Sequence, residues 1–208
     1  MSHNILLIDS SPLGHASVCR RFTAMALEGL KRKHPGAVVK VRDLSKDPLP
    51  HLTAPVIGAF FTEPEKRTSL QTEAAKLSED AVAELLWADT VVIGVPMWNF
   101  GIPSVLKAWI DHIVRAGMTF RYTETGVQGL LNPNMQVVLV SARGGIYTAG
   151  PMASLDHQEN YVRDVFGFIG VKDVSVVRAE GIAIGPDAAK AAMAAAEGHV
   201  QETLRRVA

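Results

Sequence analysis

The stretch from Trp87 to His112, WADTVVIGVPMWNFGIPSVLKAWIDH, constrains the fold more than any other part of the chain. Val91-Val92-Ile93-Gly94-Val95 is an unbroken apolar run rich in β-branched residues and ended by Pro96. That is the pattern of a strand buried on both faces, as parallel sheets require. Met97 to Gly101 follows as a turn carrying large side chains and an amide. Pro103 then starts a helix, where its fixed φ and missing N–H cost nothing. Val105, Leu106, Trp109, Ile110 and Ile113 form the apolar face of that helix, and Lys107 precedes Asp111 by one turn on the other face. Strand, loop and helix make half a βαβ unit, and open α/β sheets bind ligands at the carboxyl ends of their strands. A loop of Met97, Trp98, Asn99 and Phe100 at that edge invites a flat aromatic ligand.

The same grammar recurs along the chain. Ile5 to Ile8 is a short apolar run, and a helix from about Ser17 to Lys33 follows a loop of small and hydroxyl residues. Val38 to Val41, Gln136 to Ser141 and Val174 to Val177 supply three further strands. Leu70, Ala74, Leu77, Ala81 and Leu85 recur at three or four residues, which predicts an amphipathic helix between Thr68 and Ala88 with those residues inward. Met118 to Gly126 reads as an extended excursion or hairpin. Asp156 and Glu159 have the spacing of a capping box at the start of a helix carrying Tyr161, Val165, Phe168 and Ile169. Asp187 to Val207 is an alanine-rich last helix. Residues 45–66 hold four prolines and the pair Phe60-Phe61, too long for a plain crossover. Those rings either cover a ligand or a partner subunit, or pack into the core.

Five strands alternating with helices predict a doubly wound parallel α/β sheet, with helices on both faces and strand order 2-1-3-4-5. The whole chain, 1–208, reads as a single domain without linker or repeat. That order sets strands 1, 3 and 4 side by side and brings their loops, 9–17, 96–101 and 141–150, to one edge. They are also the three most unusual loops in the chain.

Composition narrows the function. Lys plus Arg and Asp plus Glu are 21 each, which argues against a nucleic-acid grip. No run approaches the roughly 20 apolar residues of a membrane span, and Met1-Ser2-His3-Asn4 lacks the basic start of a signal peptide. The single cysteine, Cys19, fits a reducing cytoplasm and reads as a packed residue within a helix. The histidines have no metal spacing: His112 reads as structural within its helix, and His157 as exposed. No G-x-S-x-G elbow supports a hydrolase.

The first loop has neither a P-loop nor a dinucleotide fingerprint. Ser10, Ser11 and Ser17, with N–H groups at a helix start, can hold a phosphate through neutral donors; Ser-Pro-x-Gly is equally a turn before a helix cap. Asn99 can bond the edge of a heterocycle while Trp98 and Phe100 pack beside it, or both aromatics are core residues. Gly144 and Gly145 let the backbone approach a planar ligand. Arg143 either donates to developing negative charge or pairs with a carboxylate elsewhere.

Gly94-Val95-Pro96-Met97-Trp98-Asn99-Phe100-Gly101-Ile102-Pro103, then Leu106-Lys107-Ala108-Trp109-Ile110-Asp111, resembles the P-M-Y-N-F-x-x-P-x-x-L-K-x-W-I-D signature of bacterial FMN-dependent NADH azoreductases, also called FMN-dependent NADH:quinone oxidoreductases. Phe120-Arg121-Tyr122-Thr123, Arg143-Gly144-Gly145, Gly167 to Gly170 and Ala179 to Ala183 resemble further family blocks in the right order. The resemblance implies a flavodoxin-like fold, a homodimer with active sites at the interface, and tightly bound FMN. It implies hydride passage from NADH or NADPH to quinones or aromatic azo compounds in ping-pong order. The cofactor contacts implied are Ser11, His15, Ala16 and Ser17 at the phosphate, with Met97, Trp98, Asn99, Phe100, Ser141, Arg143, Gly144 and Gly145 around the ring. Phe120 and Phe168 resemble the aromatic wall over the flavin, and with Tyr147 they are the expected substrate contacts. No side chain is expected as a nucleophile. Trp98 stands where tyrosine is usual, His15-Ala16 departs from a common Ser-x-Ser, and Ala142 replaces a frequent serine, so the grip on FMN is expected to weaken or to shift onto the backbone. A flavin reductase and a flavodoxin-type electron carrier are the competing expectations, although such carriers are typically acidic and this chain is neutral.

Overall fold

The computed structural model describes residues 3–207. Among these, five strands form one parallel sheet: β1 (Asn4–Asp9), β2 (Val38–Asp43), β3 (Thr90–Pro96), β6 (Gln136–Arg143) and β7 (Asp173–Glu180), in the order β2-β1-β3-β6-β7. Numbered within the sheet alone this is 2-1-3-4-5, as expected. The hairpin β4 (Phe120–Thr123) and β5 (Gly126–Gly129) stands apart as an antiparallel pair. The helices are α1 (Val18–Lys33), α2 (Ala54–Phe61), α3 (Ser69–Trp87), α4 (Ser104–Ile113), α5 (Glu159–Phe168) and α6 (Pro186–Arg206).

Successive strand residues point to opposite faces, and both faces are covered, which is why the strands are apolar throughout. Leu6, Ile8, Val91, Ile93, Val95, Val137 and Leu139 pack under α3, α4 and α5. Ile5, Leu7, Val92, Val138, Val140, Val177 and Ala179 pack under α1 and α6. Close approach on the second face depends on small residues. A Cβ at Gly94 would meet Asp9 Oδ1 and Thr23 Cγ2 at 3.1 Å, so α1 lies hard against β3.

Local chemistry explains the helix ends. Ser17 caps α1 by accepting from the Arg20 N–H, and Thr68 with Gln71 closes a capping box on α3. Asp156 Oδ1 accepts from the N–H groups of Gln158 and Glu159. The reciprocal half of the expected box is missing, because the Glu159 carboxylate is taken by arginines.

One expectation about packing is corrected, and one open pair of readings is divided between two residues. The buried stripe of α3 is Ala75, Ser78, Ala81, Val82 and Leu85, whereas Leu70 and Leu77 are exposed. Small Ala75 and Ser78 let α4 approach, and the Ser78 hydroxyl donates to the His112 carbonyl at 2.5 Å. The 45–66 segment folds into α2, which packs on α3 and parts its two rings: Phe60 is half-buried against His112 and Arg115, and Phe61 is 81% exposed. His112 is fully buried and bonded through Nε2 to the Pro50 carbonyl, a structural histidine whose pKa burial lowers.

Candidate functional site

The loops after β1, β3 and β6 meet at the carboxyl edge of the sheet around a cavity of about 270 Å³. Ser11, Ala16, Ser17, Met97, Trp98, Arg143 and Gly144 line it together with Ala142, Ile182 and Ala183. A second cavity of about 470 Å³ shares Trp98 with the first and is lined by Ser10, Ser45, Asn99 and the start of α4.

The first loop is held from behind by ions. The Arg20 guanidinium bonds Asp43 at 2.6 and 2.9 Å, Asp9 at 3.2 Å, Ser45 Oγ at 2.8 Å and the Ser11 carbonyl at 3.0 Å. It holds the Asp43 carboxyl well below the usual carboxylate range. Asp9 moves the other way: burial raises its pKa, with partial relief from Arg20 and the Thr23 hydroxyl. Ser10 is pinned by donating to the Gly94 carbonyl at 2.6 Å. Gly14 to Ala16 then form one 3₁₀ turn, with His15 and Ala16 exposed, before Ser17 opens α1. Among the described residues no protein acceptor meets the N–H groups of Val18 and Cys19, the orphan donors of a helix start. Cys19 itself is buried, and burial raises its thiol pKa far above the ordinary value.

In the second loop Trp98 and Gly101 exchange two backbone hydrogen bonds of 3.0 Å, with Asn99 at φ 47° and Phe100 at φ 70° between them. Positive φ at both central residues makes a type I′ turn, normally the place of Asn-Gly. Phenylalanine in that conformation stores about 1–3 kcal/mol of strain. The turn is over-determined by Met97 N–H to the Ala142 carbonyl and His157 N–H to the Phe100 carbonyl. It presents Trp98, Asn99 and Phe100 outward, so neither aromatic is a core residue.

The third loop is fixed by the chain after β7, whose Ile182, Ala183 and Gly181 N–H groups bond the carbonyls of Arg143, Gly144 and Gly145. A Cβ at Gly144 would crowd Ala183, and one at Gly145 would crowd the Tyr147 ring. The Gly144 and Gly145 N–H groups have no acceptor among the described residues. Of the two readings of the Arg143 side chain, the structure has the second. It is 1% exposed and meets Asp156 at 2.9 Å, Glu159 at 3.2 Å and Glu180 at 3.6 Å, with Gln158 on Nε. Glu159 also receives Arg178 and Arg163; burial works to raise its pKa, but these cations hold it low. Arg143 therefore reaches the cavity only beside this closed network.

Several expected residues lie elsewhere. Ser141 shares its sheet face with Val137 and Leu139, under α5; its Oγ is buried without a hydrogen bond, and it is Ala142 that lines the cavity. Phe100 and Tyr147 pair edge-on at 6.3 Å beside the loops. Phe120 and Phe168 meet at 4.8 Å between ring centres, their planes tilted by 57°. They sit where α5 ends and β6 begins, at the amino edge, the opposite end of the sheet from the cavity. Arg20 is a loop anchor that no motif in the sequence marks directly. Its signal was Asp9 and Asp43, which fall opposite each other in the β1–β2 register and require a cation between them.

A phosphate fits the orphan amides of α1 beside Ser17, and a flat polar ring fits the Trp98 turn and the free Gly144 and Gly145 amides. Fold and site together define a flavodoxin-like α/β protein with a mononucleotide cleft at the carboxyl edge. The family model described as flavodoxin-like fold matches residues 3–204. An FMN-dependent NADH:quinone oxidoreductase of Azospirillum brasilense is 50% identical over 198 residues, 94% of this chain and 95% of that protein. The crystal structure of an azoreductase from Bacillus anthracis str. Sterne superposes with a TM-score of 0.90 at 30% identity, over 98% of this chain and 99% of that one. A FMN-dependent NADH-azoreductase from Bacillus anthracis str. Ames Ancestor, solved in complex with FMN, gives 0.90 at 28% identity, each chain 99% covered. The chain belongs to the flavodoxin-like family of FMN-dependent NADH:quinone oxidoreductases and azoreductases.

Proposed function

We propose that this protein is a cytoplasmic, single-domain FMN-dependent NAD(P)H:quinone oxidoreductase that also cleaves aromatic azo compounds to amines, acting as a homodimer. The observation that carries the reading is the convergence of three loops on one cavity with neutral donors at one end and the strained Trp98–Gly101 turn at the other. When bound, FMN supplies hydride transfer between the nicotinamide and the acceptor. Ser11, Ser17 and the first amides of α1 hold its phosphate, with Ala16 and His15 flanking. Met97 to Phe100 orient the ring, and the Gly144 and Gly145 amides donate to its polar edge, where they favour negative charge. The relatives' names favour NADH as donor.

The dimer is supported by a mismatch of position. Phe120 and Phe168 lie at the sheet edge remote from the cleft of their own chain, close to exposed Tyr122. Only a second copy brings such an aromatic wall over the cleft. Among the described residues no helix is long and apolar enough to cross a membrane.

The test is an absorbance spectrum of the purified protein after gel filtration, followed by anaerobic NADH and then a quinone. Co-eluting yellow colour that bleaches with NADH and returns with quinone is expected, with one NADH consumed per quinone and two per azo bond. A protein that stays colourless when offered FMN overturns the reading, and one that releases reduced flavin on filtration is a flavin reductase instead. Sedimentation as a monomer at assay concentration removes the shared site.

A further inference from the structure

The open edge of β7 carries a polar pocket of about 250 Å³, walled by α5 on one face of the sheet and α6 on the other. Along an edge strand alternate peptide groups pair with the neighbouring strand and the rest point outward. Two side chains mark the outward set here: Arg163 Nη1 donates to the Val174 carbonyl at 2.9 Å, and the Arg178 N–H donates to His199 Nδ1 at 3.4 Å. Val176 lies between them, and among the described residues nothing else meets its outward N–H or carbonyl. The two plugs close the edge to an added strand and leave one free peptide on the floor of the pocket.

Cationic donors surround that peptide. Arg178 spends Nε and Nη2 on Glu159, and Arg163 spends Nε on the same carboxylate. Among the described residues no acceptor meets Arg178 Nη1, Arg163 Nη2 or any nitrogen of Arg206, and none meets the hydroxyls of Ser175 and Thr203. The last carbonyls of α6, ordinary partners for a cation such as Arg206, are served instead by Lys33, which donates to Leu204 and Val207. Three guanidiniums thus face two carboxylates, buried Glu159 and exposed Glu202, and one positive charge is in excess.

We propose that this pocket is a binding site for a phosphate group, free or carried on a small polar molecule. Guanidinium edges from both helix-covered faces, two hydroxyls and a peptide N–H converge as a phosphate requires. The lining has no aromatic ring on which a base or a flavin would stack. The proposal stands on this geometry alone and does not depend on the redox reading.

The test titrates the full-length protein, saturated with FMN so that the cleft is filled, with inorganic phosphate by calorimetry and by amide NMR. One saturable site per chain is expected, with a shift of the Val176 amide resonance. Arg206→Gln, at an exposed position, should weaken phosphate about tenfold, the size of one charge-assisted hydrogen bond. Glu202→Gln, which removes a competing charge, should tighten it several-fold, and Ser17→Ala, in the cleft, should leave it unchanged. Glycerol phosphate binding as tightly as inorganic phosphate marks a site for a carried group, and its exclusion marks a site for the free ion. Absence of saturable binding, wild-type affinity in Arg206→Gln or an unmoved Val176 amide overturns the proposal. Binding abolished by Ser17→Ala belongs to the cleft and overturns it too, whatever the outcome with FMN.

Discussion

Replacing Arg20 by methionine tests whether ions behind the first loop set the cleft in front of it. Methionine keeps much of the stem and removes a guanidinium that binds two carboxylates, a hydroxyl and the Ser11 carbonyl. The Arg20, Asp43 and Asp9 side chains are 17%, 15% and 11% exposed, so the network is mostly desolvated but not sealed. Breaking a fully buried pair costs about 3–5 kcal/mol; discounted for the exposure here, the loss is about 2–3 kcal/mol at pH 7. The pH dependence has a definite sign. Arg20 depresses the Asp43 pKa, so the stability it contributes is present above the unfolded carboxylate pKa and is lost as pH falls through the folded one. Asp9 is raised by burial, and its charge is a cost that protonation relieves at low pH. The gap between wild type and Arg20→Met should therefore be widest near neutrality and narrow below about pH 4, where both carboxyls in the variant accept protons. Urea titrations at a series of pH values measure it, and FMN affinity, expected to fall about tenfold as the Ser11 carbonyl comes free, is read on the same samples. A gap under about 1 kcal/mol at pH 7, or one constant down to pH 3, refutes the reasoning.

Three further outcomes follow from the structure. Phe100→Gly should raise the urea midpoint by about 1 kcal/mol of stability by releasing the φ 70° strain, while lowering quinone turnover; a loss of stability would show that the turn is not strained. Gly129→Ala places a Cβ 2.2 Å from Gly170 N and 2.3 Å from Ile169 C, so the β4–β5 hairpin must lift from the end of α5. Its thermal midpoint should fall by an amount equivalent to about 3 kcal/mol, with loss of hairpin protection in hydrogen exchange. Cys19, buried with its thiol pKa raised, should not react with a disulfide reagent at pH 8 until the protein is unfolded; stoichiometric labelling of native protein would contradict its placement.

Strand identity and order were legible because they depend on features local to each segment. Val91 to Val95 is apolar at every position, and a strand covered on one face only would alternate. The starts of α1 and α4 were equally plain from Ser17 and Pro103. Rotation of a helix about its axis was not: Leu70 and Leu77 advertise an apolar face, but α4 selects the small Ala75 and Ser78 edge, a choice made by the neighbour. The site divides in the same way. Loop position at the carboxyl edge follows from topology, so Ser11, Ser17, Met97, Trp98 and Gly144 could be grouped from sequence. Side-chain direction does not follow. One residue of register separates Ser141, turned under α5, from Ala142 in the cavity. Arg143 is claimed by Asp156, Glu159 and Glu180, acids that follow it in the chain by 13, 16 and 37 residues and whose convergence only the folded sheet creates. Phe120 and Phe168 carry no mark of which end of the sheet they occupy.

The inward commitment of Arg143 leaves an anion in the cleft to be gripped by hydroxyls and peptide dipoles, groups that neither gain nor lose protons across the physiological range, with the exposed His15 only at its flank. An anion seated there is held by direction more than by net charge, so its grip should survive moderate salt and alkaline shifts that would loosen a lysine-lined pocket. Retuning such a cradle during divergence would mean bending backbone rather than exchanging one charged residue for another.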